Sequence, residues 1–446
     1  MSSAMSSAMD SFPIFSVAQT PLRTVKAWVP IPILGLVVYL VAVAVFRNRR
    51  VKKAGKKLNY PTRESMATMS NDDAWRILLD LSQMEFPFTY LKALQFALFR
   101  TYGIPTISKT LVQTGQFAKP EFSMKRYADT SVLISEFVGN SPTSERAKAA
   151  IARMNYLHNG YRMCGKILDD DMLFTLSLFT LEPIRWINRY EWRKASELEV
   201  CALGTFWKSV GDAMEISFEN LPSSKVGFKD GIQFSEELRM WSEDYERRTM
   251  VPSEWNKRNA DQTTAVLLWD YPLLVRPMAR KMLFFLMDDR LREAMMYEKP
   301  HVLYRVAFGS IFKLRAWFLR YLSLPRPKFM RLRRVAPGTS AEARYNILNW
   351  EGAPFYIRPT FMNRWGPRAW FAWLCGMPLP GDDPNHCPNG YYIPDVGPKN
   401  FEGKGHDQFE GEVIPTPKGH ERPSLHDAMQ KAFLKWQRRL FNVLCC

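Results

Sequence analysis

The chain has 446 residues, 46% of them hydrophobic, and carries 61 Lys and Arg against 44 Asp and Glu, a formal net charge of +17. This is ample material for a core, in one large domain or two ordinary ones, and the composition excludes a disordered chain or a polytopic membrane protein. The positive excess calls for an anionic partner, nucleic acid or lipid headgroups, and the location of the charge decides between them.

In chain order, residues 1–27 are rich in Ser and Met and read as a disordered N-terminus. Residues 28–46, WVPIPILGLVVYLVAVAVF, hold no charge and are just long enough to cross a hydrocarbon core. Seven basic residues follow at once in RNRRVKKAGKK, Arg47 to Lys57. A signal peptide is the competing reading. However, the segment begins late, its N-terminal flank is only weakly basic, and no small-x-small cleavage site comes before the basic run. The pattern predicts a single-pass transmembrane anchor with everything after it in the cytosol. Two features agree: there is no Asn-x-Ser/Thr sequon, and the six cysteines lack CxxC spacing or the density of a disulfide scaffold. Residues 28–57 are thus expected to meet membrane lipids, the basic run facing anionic headgroups. With no nucleic-acid-binding motif in the chain, no nucleic-acid partner is expected.

Residues 47–74 read as a basic juxtamembrane linker. From Asp72 to Asp289 the pattern is helical, with helices expected at 72–83, 88–101, 105–114, 125–138, 142–165, 170–180, 196–218, 234–245, 263–269, 271–286 and 288–297. Residues 301–322 form a basic, aromatic helix; packing on the body is the simpler reading, lying on a bilayer surface the alternative. After Pro325 the chain becomes rich in Pro, Gly and Trp and reads as an extended tail wrapping the body, ending in an amphipathic helix at 424–443. The expected organisation is a helical domain over 75–324 and a C-terminal extension over 325–446. The fold class is all-α.

Absent motifs narrow the chemistry. There is no GxGxxG after a strand, no GxxxxGK[ST], no GxSxG and no HExxH. The six histidines are scattered singly, against a zinc site built from several of them. A cofactor held by one axial histidine in a helical shell remains open. His158 is the only histidine in the first 300 residues. It continues a stripe of Ala147, Ile151, Met154 and Tyr161 at helical spacing, so it points inward, with Arg162 one turn further on. Ser141 is the expected N-cap of this helix, with Pro142 at its first position and Glu145 near the positive end of its dipole. In the preceding helix, ended by Gly139-Asn140, Arg126, Thr130, Leu133 and Phe137 share one face. A short loop makes the two helices neighbours, and a cavity between them could be walled by His158, Arg126 and Thr130. The bland alternatives are a packed core imidazole and an arginine reaching water. Asp169, Asp170 and Asp171 read as acids at a helix N-cap rather than as a metal site.

The strings RTYGIPTISKTLVQTGQF (100–117), RYADT (126–130), RMNYLHNGYR (153–162), DDDMLFTLSLFTLEPIRWINRYEWR (169–193) and PDVGPKNFEGKG (394–405) together resemble one group. It is the fungal endoplasmic-reticulum-bound oxygenases of the mycophenolic-acid-biosynthesis (MpaB) type, relatives of the bacterial latex-clearing rubber oxygenases. The likeness spans roughly residues 75–410. It implies a globin-related helical bundle binding haem b, with His158 as the proximal iron ligand, Arg162 completing the motif, and Arg126 and Thr130 on the distal side. It also implies an endoplasmic-reticulum location and an oxygenase that uses dioxygen to cleave a C=C bond of an isoprenoid or other lipid-like substrate, as in secondary metabolism. Where some rubber oxygenases carry a Lys just before the Thr, this chain has Asp129, and no residue matches their catalytic carboxylate. Two other classes stay open: a lipid-modifying transferase or hydrolase, and a membrane adaptor that has lost the cofactor.

Overall fold

The computed structural model describes residues 30–115 and 120–405. The N-terminal segment expected to be disordered and the helix expected at 424–443 lie outside the described residues. In chain order the helices are α1 (Pro30–Lys57), α2 (Arg63–Met66), α3 (Asn71–Asp80), α4 (Pro87–Thr101), α5 (Pro105–Gln113), α6 (Pro120–Gly139), α7 (Glu145–Met163), α8 (Asp169–Tyr190) and α9 (Glu197–Ala213). They continue with α10 (Gly231–Thr249), α11 (Glu254–Leu267), α12 (Arg276–Leu286), α13 (Asp289–Ala294), α14 (Val302–Tyr321), α15 (Phe361–Trp365) and α16 (Pro367–Leu374). The described strands are β1 (Arg344–Tyr345) and β2 (Tyr391–Tyr392), paired antiparallel. The described protein is therefore all-α in class.

Helix starts follow local chemistry. Ser70 caps α3 by accepting from the Asp73 amide, and Ser196 and Glu199 form a reciprocal capping box on α9. The cap of α7 is Ser144, which accepts from the Ala147 amide, and not the expected Ser141. The Ser141 hydroxyl instead donates to Asp72 at 2.7 Å, tying the α6–α7 loop to α3. The expected helix at 170–180 runs on to Tyr190 through Pro183. Tertiary burial of most residues in this helix outweighs the lost backbone bond. The expected 263–269 helix begins at Glu254, because its polar first half hid the period.

The core runs through α3, α4 and α6–α11, with α4 against α8, α9 against α3 and α10, α6 against α7, and α5 against α11. Helices α9 and α10 cross at glycines: a Cβ on Gly204 would lie 1.9 Å from the Gly231 carbonyl oxygen, and one on Gly231 would lie 2.2 Å from that of Cys201. No side chain fits there. Where α4, α8 and α10 meet, buried Arg100 makes a bidentate pair with Glu246 at 2.7 Å and also binds Asp288. Its charge is thus compensated inside the core.

From Pro30 the segment expected to be an anchor and the basic run after it form one continuous helix, α1. Among the described residues no helix is long and apolar enough to cross a membrane; the uncharged part of α1 spans Pro30–Phe46 and Arg47 follows directly. Helix α1 packs against α14. The Tyr39 hydroxyl donates to the Leu322 carbonyl at 2.7 Å, and buried Arg47 donates to the Ser323 carbonyl at 2.8 Å while its guanidinium stacks on Trp192. Helix α14 rests on the body through Phe308 and Phe312, yet Phe308 is its one buried residue. Most of its apolar side chains are open to solvent, so packing accounts for only part of that helix.

Residues 323–405 run across the helical body as irregular chain with short helices. The composition hid α15 and α16; Ala369 and Ala372 of α16 build a small separate core with Trp350 and Ile357. Two buried arginines bind this segment to the body. Arg146 pairs with Glu136 at 2.5 Å and donates to the carbonyls of Ala336 and Gly338. Arg153 donates to the carbonyls of Val396, Phe401 and Lys404 at 2.8–2.9 Å. Each arginine satisfies backbone oxygens that the irregular chain leaves open.

Candidate functional site

A cavity of ≈ 350 Å³ lies inside the bundle, walled by α4–α9, α11 and residues 397–401. This is within the usual size range of small-molecule sites, about 300–1,000 Å³. Its lining is mainly apolar. Leu133 and Phe137 come from α6, Leu176 and Phe179 from α8, and Trp207 from α9. Phe179 stacks on Trp207 at 5.1 Å and Phe137 meets the same ring edge-on at 6.1 Å, which makes this wall rigid.

Three of the four residues singled out from sequence, His158, Arg126 and Thr130, line this cavity. His158 is partly buried, but its Nδ1 is sealed from solvent and makes no hydrogen bond. Burial pushes the imidazole down to about 4, and the charges of Arg126 and Arg162 push the same way. The ring is therefore neutral at physiological pH. A buried polar nitrogen without a partner is costly, and the neutral imidazole is the commonest metal ligand among side chains. Arg126 lies in the wall, where burial lowers the guanidinium from its ordinary value against the opposing influence of Tyr102, Tyr161 and Asp129. It stays charged in any accessible pH range.

Arg162 is placed differently. It does not line the cavity but donates to the carbonyls of Met214 (3.2 Å) and Glu215 (3.0 Å) and pairs with Asp169 at 3.3 Å. It fastens the end of α7 to the end of α9 and the start of α8, one turn beyond His158. The triple acid occupies the first turn of α8, with Leu168 as the N-cap residue. Asp171 accepts from Thr106 (3.0 Å) and Tyr245 (2.8 Å), and Asp170 accepts from Asn220. Among the described residues no group of three or more His, Cys, Asp and Glu could hold a metal ion.

Sequence reasoning missed the partners of Asp129. This buried carboxylate lines the cavity and is gripped by Lys125 at 2.6 and 2.8 Å and by the Tyr356 hydroxyl at 2.6 Å. Burial raises its carboxyl above the ordinary range, while Lys125, Tyr356 and Arg126 pull it back down. The Lys125–Asp129 pair sits at i,i+4 spacing and was legible in principle. Tyr356, 227 positions away in an irregular segment with φ +62, was not. The string 394–405 likewise gains a physical reason. Gly397, with φ +135, faces Leu157 with room for no more than a tight Cβ at 3.1 Å, and Gly405, with φ +83, closes on Tyr156. Arg153 holds the carbonyls of Val396, Phe401 and Lys404, so this loop is laid on α7 beside His158 and completes the cavity wall.

No family model matches the chain. Among curated proteins it is 51% identical over 384 residues to the ER-bound oxygenase mpaB' of Penicillium brevicompactum, covering 86% of this chain and 91% of that protein. It is 48% identical over 355 residues to the ER-bound oxygenase mpaB of the same species, covering 80% and 84%. To the ER-bound oxygenase mpaB of Penicillium roqueforti it is 51% identical over 286 residues, covering 64% of this chain and 96% of that protein. Identity this high over most of the chain, cavity-forming helices included, settles kinship: the chain belongs to the MpaB family of ER-bound oxygenases.

Proposed function

We propose that this protein is a haem b-dependent oxygenase attached to the endoplasmic-reticulum membrane, acting on an apolar isoprenoid or similarly lipid-like substrate. The single observation that carries the reading is the sealed, unbonded Nδ1 of His158 on a cavity it shares with Arg126 and Thr130. Those residues fit a haem: one neutral imidazole to reach the iron, an apolar slot for the macrocycle, and a cation with a hydroxyl on the helix opposite in sequence. The helical body is then a relative of the globin fold.

When bound, the haem would supply dioxygen activation for oxidative cleavage of a carbon–carbon double bond. The protein's own part follows from its side chains. His158 contributes the lone pair, and Arg162 holds its helix end in register from outside the cavity. Arg126, in a mainly apolar wall, would stabilise negative charge developing in the cavity; such a fixed donor is typically worth about 10²–10³ in rate. The Thr130 hydroxyl can donate on the same helix face. The aromatic and aliphatic wall around Phe137, Phe179 and Trp207 would hold the alkene chain and exclude water. Asp129, bridged to Lys125 and Tyr356, offers a place at the cavity edge to hold a proton.

The family's ER-bound members support membrane attachment here. We place the attachment in α1 and the residues that precede it, as a single-pass anchor with residues 28–57 meeting lipid and the catalytic body in the cytosol. The full chain, solubilised in detergent and supplied with hemin, is expected to show an intense Soret band, which His158→Ala abolishes or shifts strongly. A colourless wild-type protein after reconstitution would overturn the haem reading. An unshifted variant would overturn the ligand assignment.

A further inference from the structure

The exposed apolar surface extends well beyond α1. Helix α14 leaves Leu303 (70% exposed), Leu314 (64%) and Trp317 (51%) uncovered. The turn before α12 leaves Leu273 (76%) and Leu274 (92%), and α15 and α16 leave Phe361 (80%), Trp365 (60%), Trp373 (61%) and Leu374 (73%). Isolated apolar side chains on a surface need no explanation, but a run of contacting elements that all expose them does.

These elements are joined to one another. Helix α1 packs on α14, and α14 packs on α12 through Phe285, whose ring lies 5.8 Å from Phe308 and 6.2 Å from Phe312. The turn before α12 is linked to α16 through Asp270, which accepts from Arg368 at 3.2 Å and from the Gly352 amide at 2.8 Å. The patch therefore continues from the helix that carries the proposed anchor.

Its own segments carry an excess of cations. From Lys299 to Ala341 the sequence has ten Lys and Arg and no Asp or Glu, and from Gly352 to Gly381 it has three Arg and again no acid. Some of these cations are matched from elsewhere: Arg315 by Glu191, Arg331 by Asp80, Arg334 by Glu351, Arg364 by Asp382 and Arg368 by Asp270. Arg305, Lys313, Arg320 and Lys328 stand exposed among the apolar side chains. Trp and Tyr with interspersed Lys and Arg, on helices lacking acids, are the chemistry of a surface that lies in the headgroup region of an anionic bilayer.

We propose that α14, the turn at 271–275 and helices α15–α16 form a second membrane contact, embedded in the interfacial layer of an anionic bilayer and separate from the α1 anchor. Continuity with α1 and the exposed cations Arg305, Lys313, Arg320 and Lys328 select lipid over a second copy of the chain. A second copy would bring the same cations against these. The contact holds the body flat on the membrane instead of leaving it tethered at one point.

The test uses the full chain reconstituted in nanodiscs of phosphatidylcholine with a minority of phosphatidylserine. The photo-crosslinker p-benzoylphenylalanine replaces, one at a time, Leu274, Leu314 or Trp373. Val38 in α1 serves as the anchor position, and Val226, 86% exposed on the loop between α9 and α10, as the solvent position. Lipid adducts read by mass spectrometry are expected at 274, 314 and 373 at severalfold the yield at 226, falling when phosphatidylserine is omitted. Adducts at 38 with background yield at any of the three overturn the second contact and leave the anchor standing. Background yield at 38 as well overturns both. Adducts at the three positions to a second copy, or to residues 406–446 of the same chain, overturn lipid as the occupant, and yields indifferent to phosphatidylserine overturn the anionic preference.

Discussion

His158 is held neutral by burial and by two neighbouring arginines, which gives the ligand-free protein a defined acid sensitivity. The folded imidazole titrates near 4 and the unfolded one near its ordinary 6.5. A depressed histidine contributes stability that is complete above the unfolded value and lost as pH falls toward the folded one. Thermal unfolding of the cofactor-free chain should therefore lose stability between about pH 6.5 and 4 by more than His158→Leu does; parallel curves for the two proteins would contradict the burial. Arg126→Met should retain the absorption band and lose about 10²–10³ in turnover, because a fixed donor is removed while the ligand stays. At this scale the sequence was informative where helix periodicity applies. It aligned Arg126, Thr130 and His158 on facing stripes, and all three line one cavity. Periodicity places a residue on a face but does not say what it bonds. For that reason Arg162, one turn from His158, turned out to fasten helix ends, and Tyr356 came to Asp129 unannounced.

The helices hold the site through contacts that a pattern of apolar residues does not encode. Arg153 satisfies three carbonyls of the 396–404 loop from the helix that carries His158. Arg153→Met should free that loop, raising amide hydrogen exchange over 396–404 and weakening hemin affinity while the rest of the core stays protected; unchanged exchange would show that the loop is held by other means. The crossing of α9 and α10 is equally specific. Gly204→Ala forces a methyl group against the Gly231 carbonyl, so the backbones must separate. A loss of at least 1–3 kcal/mol, roughly the cost of overpacking, is expected in denaturant unfolding. Both glycines were visible in the sequence, but a glycine inside a helical pattern does not announce the helix it will touch. Helix extents were read best where a proline at the first position and the apolar period coincide, as in α5, and worst where a polar turn opens the helix, as in α11.

Over the whole molecule the all-α class and the change of character after Pro325 were legible from composition and period, whereas the tail's small core and its strand pair were not, since neither has a repeat long enough to recognise. Buried ion pairs between distant segments were equally hidden. Arg100, Glu246 and Asp288 come from three elements, and removing the cation leaves two carboxylates without their partner. Arg100→Leu should cost about 3–5 kcal/mol in global unfolding. The exposed apolar face and the positive balance belong to this scale too, and both make sense for a body that works against lipid. The role of the imidazole can be read from hemin titration of full-length His158→Gly, with and without free imidazole. The wild-type Soret band should be lost in the variant and return when imidazole enters the vacated space. A variant that binds hemin with the wild-type spectrum and affinity, indifferent to imidazole, would contradict it.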